Sequence, residues 1–76
     1  MNGYSVTFVL DIEYANGECD TNTFTNMENA VDCMDECFYD ADKSNPIVWY
    51  KITKSVTSGG MIVSTSNIEE WSANSL

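Results

Sequence analysis

Tyr4, Val6, Phe8, Leu10, Ile12 and Tyr14 alternate with Ser5, Thr7, Val9, Asp11 and Glu13. A period of two places the first set on one face of a strand, so residues 4–14 read as a strand with one buried face. Asn16-Gly17 follows, a dipeptide that favours a two-residue hairpin turn because both positions accept positive φ. The Thr-rich segment after it, about Glu18 to Phe24, alternates weakly and reads as an exposed edge strand.

The period changes after Phe24. Thr25-Asn26-Met27-Glu28 fits a capping box, with the Thr25 hydroxyl at the N-cap and the Glu28 carboxylate reaching back. A helix is expected from about Asn26 to Asp42. At roughly 100° per residue, Met27, Ala30, Val31, Met34, Cys37, Phe38 and Ala41 share one arc. Glu28, Asp32, Asp35, Glu36 and Asp40 fill the opposite arc with Tyr39 among them, and Asp42 lies at its margin.

Ser44-Asn45-Pro46 stops the helix, since the residue before proline is pushed toward extended structure. Ile47 to Val56 reads as a strand with Val48, Tyr50, Ile52 and Val56 on one face and Trp49, Lys51 and Thr53 on the other. Ser58-Gly59-Gly60 is a turn. Met61 to about Ile68 is the return strand, which Glu69-Glu70-Trp71 either extends or ends in a short turn. Ser72 to Leu76 is expected to fray.

This order predicts an α+β domain of the hairpin–helix–hairpin type: a four-stranded, mostly antiparallel sheet with one helix packed on one face. The β-grasp order, with the two terminal strands parallel at the centre, is the preferred topology. With 76 residues the chain makes one domain, taken as 1–71 with a flexible tail over 72–76, and its core must be small. One helix leaves a sheet face uncovered. Val9, Trp49, Ile62 and Ile68 are the candidates for that face, and a homodimer contact is expected there.

Charge changes the picture. The first 42 residues hold ten acids and no base; Lys43, Lys51 and Lys54 all come later, against Glu69 and Glu70, and the net charge is −9. Charge of one sign over half of a small protein makes a directional field that attracts basic surfaces and repels nucleic acid and acidic membranes. Direct nucleic-acid binding is therefore excluded, because phosphate contacts need a basic patch.

Enzymatic and metal chemistry find little to work with. Histidine is absent, so a nucleophile would need lysine or a carboxylate as its base, and no glycine-rich phosphate loop occurs. Asp40-Ala41-Asp42-Lys43-Ser44 resembles the start of a calcium loop, but Asn45 stands where glycine is required and Lys51 where a bidentate glutamate is required. Cys19, Cys33 and Cys37 supply three thiols and no fourth zinc ligand. No cofactor, metal site or catalytic residue is expected. An odd cysteine count, no basic leader and no span of membrane length point to a cytoplasmic protein with reduced thiols.

The acids themselves remain. The six from Glu28 to Asp42 lie over ~21 Å of helix, one per ~3.5 Å, and one strand of B-DNA carries a charge about every 3.4 Å. Asp11, Glu13, Glu18 and Asp20 flank this row from the first hairpin. In size, charge distribution and acidic helix the chain resembles the small acidic phage-encoded DNA mimics, a class of anti-restriction proteins, anti-CRISPR proteins and antagonists of nucleoid or transcription proteins. The class shares no motif and no fold. The resemblance implies a non-enzymatic inhibitor that blocks a basic nucleic-acid-binding protein of a bacterial host, in the host cytoplasm if phage-encoded. Its primary contacts would be Glu28, Asp32, Asp35, Glu36, Asp40 and Asp42, its secondary contacts Asp11, Glu13, Glu18 and Asp20, with Tyr39 stacking on an arginine. Two other classes fit the same residues: an adaptor or antitoxin module using the uncovered face with Trp49, and a homo-oligomeric assembly protein using exposed strand edges.

Crowded acids repel, and salt screens that repulsion within a Debye length of about 8–10 Å. Added sodium chloride should therefore raise the melting temperature; a flat or falling trend in thermal melts would show that the carboxylates are already compensated.

Overall fold

A computed structural model describes residues 3–73. The elements are β1 (Tyr4–Tyr14), β2 (Cys19–Phe24), α1 (Met27–Asp40), β3 (Ile47–Ser58) and β4 (Met61–Ser72). The strands form one antiparallel sheet in the order β2-β1-β3-β4, with α1 packed against β1 and β2. The α+β hairpin–helix–hairpin architecture is the one the patterning predicts. The β-grasp order is not formed. β2 and β3 both run antiparallel to β1, so β2-α1-β3 is a crossover between parallel strands that flank β1. That uses both edges of β1 and leaves β4 only the free edge of β3.

The turns also differ from expectation, for a conformational reason. The Asn16-Gly17 loop holds three residues rather than two. The Tyr14 amide donates to the Glu18 carbonyl and the Gly17 amide to the Tyr14 carbonyl, each at 2.9 Å. Only Gly17 has positive φ (91°). This is the three-residue hairpin that ends in a left-handed glycine. The Asn16 side chain supports it, accepting from the Glu18 amide at 2.9 Å. The two-residue turn with both central residues at positive φ occurs instead at Gly59 (60°) and Gly60 (82°), between Ser58 and Met61.

The helix starts one residue later than the capping box implies. Asn26 is the N-cap, and its side-chain oxygen accepts from the Asn29 amide at 2.8 Å; Thr25 is not the cap, and Glu28 then falls too early in the first turn to reach back. The helix ends at Asp40, with Ala41 as the C-cap. Asp42 therefore lies outside it, in a turn where its carboxylate accepts from the Ser44 amide at 3.0 Å.

The core is Leu10, Ile12, Ala30, Ile47, Tyr50 and Ile52, with Met27, Val31, Cys33, Met34, Cys37 and Ala41 of the helix and its C-cap packed against it. Leu10 sits opposite Ile52 and Ile12 opposite Tyr50. The expected placement of Val48 on this face is corrected by a bulge. Glu13 pairs with Trp49 and Tyr14 with Ile47, so the ladder skips Val48 and Ile47 takes the buried position. Phe38, on the margin of the apolar arc, packs edge-on against Tyr50 and Trp71 at centroid distances of 5.8 and 5.4 Å. β4 runs on to Ser72, so Glu69-Glu70-Trp71 extends the strand. The proposed tail thus loses Ser72 to the sheet and Ala73 to a 2.9 Å bond with the Val48 carbonyl, and residues 74–76 lie outside the described residues.

Alternation in β1 predicts one buried face throughout, but only its second half is buried. Fourteen helical residues reach ~21 Å. Twelve strand residues reach ~40 Å. Beyond the helix the outer ends of β1, β3 and β4 project as a three-stranded arm, giving overall extents of 50 × 21 × 19 Å. Tyr4 (72% exposed) and Met61 (72%) lie there.

Asn26→Ala should destabilise the domain by about 1 kcal/mol, the usual worth of an N-cap, while Thr25→Ala should cost only a few tenths. Urea denaturation of the two variants separates them; equal losses would return the cap to Thr25.

Candidate functional site

The helix presents its acids as its periodicity requires. Glu28, Asp32, Asp35, Glu36 and Asp40 are all exposed, and Tyr39 among them is 90% exposed. Five carboxylates along ~18 Å of axis give one charge per ~3.6 Å. No basic residue occupies the last turn, where the helix dipole is negative and cations are normally favoured.

Folding extends this row at that end. Asp20 pairs with Ile12 and so lies on the helix face of β2. A shallow cleft of about 360 Å³ opens between β2, the end of α1 and the following loop, lined by Glu18, Asp20, Asp40 and Asp42 around Tyr14 and Cys37. Four carboxylates from three separate segments thus share one cleft without a lysine in its lining. Backbone bonds fix its frame: the Ala15 amide donates to the Pro46 carbonyl and the Asn16 amide to the Asn45 side chain, both at 2.9 Å. The Ser44 amide holds the Asp42 carboxyl below its ordinary value, so Asp42 stays ionised. On the floor, burial and then the neighbouring Cys33 thiol push Cys37 up, and burial, Cys37 and Asp20 push Tyr14 up. Both shifts favour the neutral forms beside the carboxylates.

Asp11 and Glu13 do not join this surface. They are half-buried on the opposite sheet face, paired with Lys51 and Trp49. Asp11 accepts from the Thr21 hydroxyl at 2.8 Å. Trp49 is also half-buried, its indole donating to Glu70 at 2.9 Å beneath the Lys51 ammonium, 5.8 Å from the ring centroid. The Trp49 bond, then the Asn67 bond at 2.9 Å, hold the Glu70 carboxyl below its ordinary value. Most of the rest of this face is Ser and Thr: Thr7, Ser55 and Thr65 form one cross-strand row. It is a polar face with Val9 and Ile62 scattered on it; Ile68 sits at a bulge in β4.

Sequence reasoning found every helix acid but not the cleft. It treated Glu18 and Asp20 as equivalent to Asp11 and Glu13, and the register of β2 separates them. Glu69 and Tyr50 were also missed as a pair: the Tyr50 hydroxyl donates to Glu69 on the neighbouring strand. Among the described residues no group of three or more metal-binding side chains converges, and no helix is long and apolar enough to cross a membrane.

No protein-family model matches the chain, and comparison with curated proteins and with solved structures finds none similar to it.

Burial, with the Glu69 bond second, raises the Tyr50 pKa to about 12 from 10.0. A folded-state pKa raised above the unfolded value gives stability that is complete below the lower value and lost as pH climbs through the upper one. The domain should therefore lose stability between pH 10 and about 12, a loss that Tyr50→Phe reduces. Denaturation midpoints across this window check the sign; a rise with pH would contradict it.

Proposed function

We propose that this protein is a non-enzymatic inhibitor that presents carboxylates in place of nucleic-acid phosphates to a basic nucleic-acid-binding protein, of the phage anti-defence or host-takeover type. One observation supports the reading above the others: an exposed acid row on a rigid helix runs into a four-carboxylate cleft, and no base interrupts it. Charges on a helix backed by a packed core need little ordering on binding, which lowers the entropic cost of contact. The contacts are Glu28, Asp32, Asp35, Glu36, Asp40 and Asp42, joined by Glu18 and Asp20. Asp11 and Glu13 contribute to the long-range field rather than to the interface. Tyr39, fully displayed among the acids, stacks on a guanidinium of the partner.

The adaptor reading, which uses the uncovered sheet face, has less support. Its central aromatic, Trp49, is already bonded to Glu70 and lies under Lys51.

The test is a pull-down from bacterial lysate eluted across a salt gradient, followed by competition of the captured protein with its own nucleic acid. Binding should weaken with salt. Glu28→Gln, Asp32→Asn, Glu36→Gln and Asp40→Asn combined should keep the fold and lose most affinity, while Trp49→Ala should lose far less. Unchanged affinity in the four-amide variant, with loss in Trp49→Ala, would reject the mimic reading.

A further inference from the structure

Three aromatic rings from three elements meet beside the acid row. Phe38 of α1 stands edge-on to Trp71 of β4 at 5.4 Å and to Tyr50 of β3 at 5.8 Å, and Tyr50 and Trp71 stack at 5.9 Å. Tyr50 is buried, but Phe38 and Trp71 are 40 and 37% exposed. Two carboxylates flank the rings. Glu69 accepts from the Tyr50 hydroxyl. Asp35, one helical turn before Phe38, is near enough to help raise the Tyr50 pKa. Both acids are exposed. No lysine lies on α1. Lys54, on this face of the sheet, pairs with Ser66, beyond Glu69 in the ladder. We infer that this aromatic step is an arginine-docking subsite: a guanidinium of a basic partner protein lies on the exposed parts of Trp71 and Phe38 and donates to Glu69 and Asp35. The inference rests on the proposed reading of the acidic surface. It adds Phe38, Glu69 and Trp71 to that surface and names the side chain they take.

Charge and ring chemistry select this occupant. A chain of net charge −9 draws cations and repels phosphates, acidic proteins and its own copies. An apolar side chain would cover the rings but take the two carboxylates out of water without a partner, which is costly. Among cations, a guanidinium is planar, stacks on an indole and is less strongly hydrated than an ammonium. Its fork of five N–H donors serves two carboxylates at once. The Tyr50 bond uses one oxygen of Glu69, and an ionised carboxylate accepts at both. The three rings also hold one another in place before a partner arrives, so little ordering entropy is lost on contact.

Two end-blocked peptides of equal charge, hexa-arginine and hexa-lysine, test this on the full chain. The indole N–H signals of Trp71 and Trp49 in two-dimensional NMR spectra report on the two sheet faces separately. Hexa-arginine should move the Trp71 signal, leave the Trp49 signal nearly still, and bind about fivefold or more tighter than hexa-lysine. Glu69→Gln, which still accepts from Tyr50, should remove most of that preference, and so should Phe38→Leu, with circular dichroism unchanged in both. The four-amide helix variant should weaken both peptides alike and keep the preference. Equal affinity for the two peptides, or a Trp71 signal unmoved at saturation, would overturn the subsite and leave the inhibitor reading intact. A preference that survives both Glu69→Gln and Phe38→Leu would do the same. Binding of neither peptide at low salt would overturn the acidic-surface reading and the subsite with it.

Discussion

The antiparallel pairing of β1 with β3 is the constraint on which the rest of the domain depends. It runs from Tyr4 opposite Ser58 to Tyr14 opposite Ile47 and sets Leu10 against Ile52 and Ile12 against Tyr50. Those side chains are the floor on which the helix packs. The pairing also decides the neighbours: with β2 on the other edge of β1, the helix must cross over β1, and β4 can only extend the sheet outward. The bulge at Val48 belongs to the same interaction, since it turns Ile47 inward and closes the core beneath the end of the helix.

A small core has to hold a highly charged surface. Few side chains are fully buried, and Leu10, Ile12 and Ile52 each contribute on the order of 1.5–3 kcal/mol relative to exposure. The aromatic group helps by spanning elements. Phe38 meets Tyr50 and Trp71 edge-on, and those two rings stack at 5.9 Å, joining the end of the helix to the outermost strand. The short reach of the helix leaves the far arm of the sheet held mainly by its ladder. Charge is partitioned along the same division. Helix and cleft carry the acids, whereas the lysines lie on β3 and in the loop before it, with Lys51 between Asp11 and Glu70 on the open face. Of the three lysines only Lys51 lies on the open face; Lys54, opposite Phe8, is on the helix face of β3, and Lys43 directly follows Asp42.

The acid row and cleft lie on the helix side near β2, at the far end of the strand order from β4. On the proposed reading, long-range attraction of a basic partner would act on the acid row and cleft.

Much of this was legible in the sequence. The alternation in β1, the apolar arc of α1 and the glycine-bearing turns specify the elements, because side-chain periodicity and φ preference are local properties. The same periodicity fixed which helix residues face water, so the exposure of Glu28, Asp32, Asp35, Glu36, Tyr39 and Asp40 needed no structure. Strand neighbours are not local. Patterning says which face of β1 is buried but not whether β3 or β4 lies beside it, so the preferred β-grasp order failed while the fold class held. A bulge shifts every later side chain by one position, and nothing in Ile47-Val48-Trp49 marks where the skipped residue lies. The cap moved from Thr25 to Asn26 because both side chains can accept an amide bond and the backbone decides between them. Register and the hairpin turn also separated Glu18 and Asp20 from Asp11 and Glu13, residues equivalent by composition. Only tertiary structure could bring Asp20 to Asp40 and Asp42, since their carboxylates meet through strand pairing and helix docking rather than through spacing along the chain.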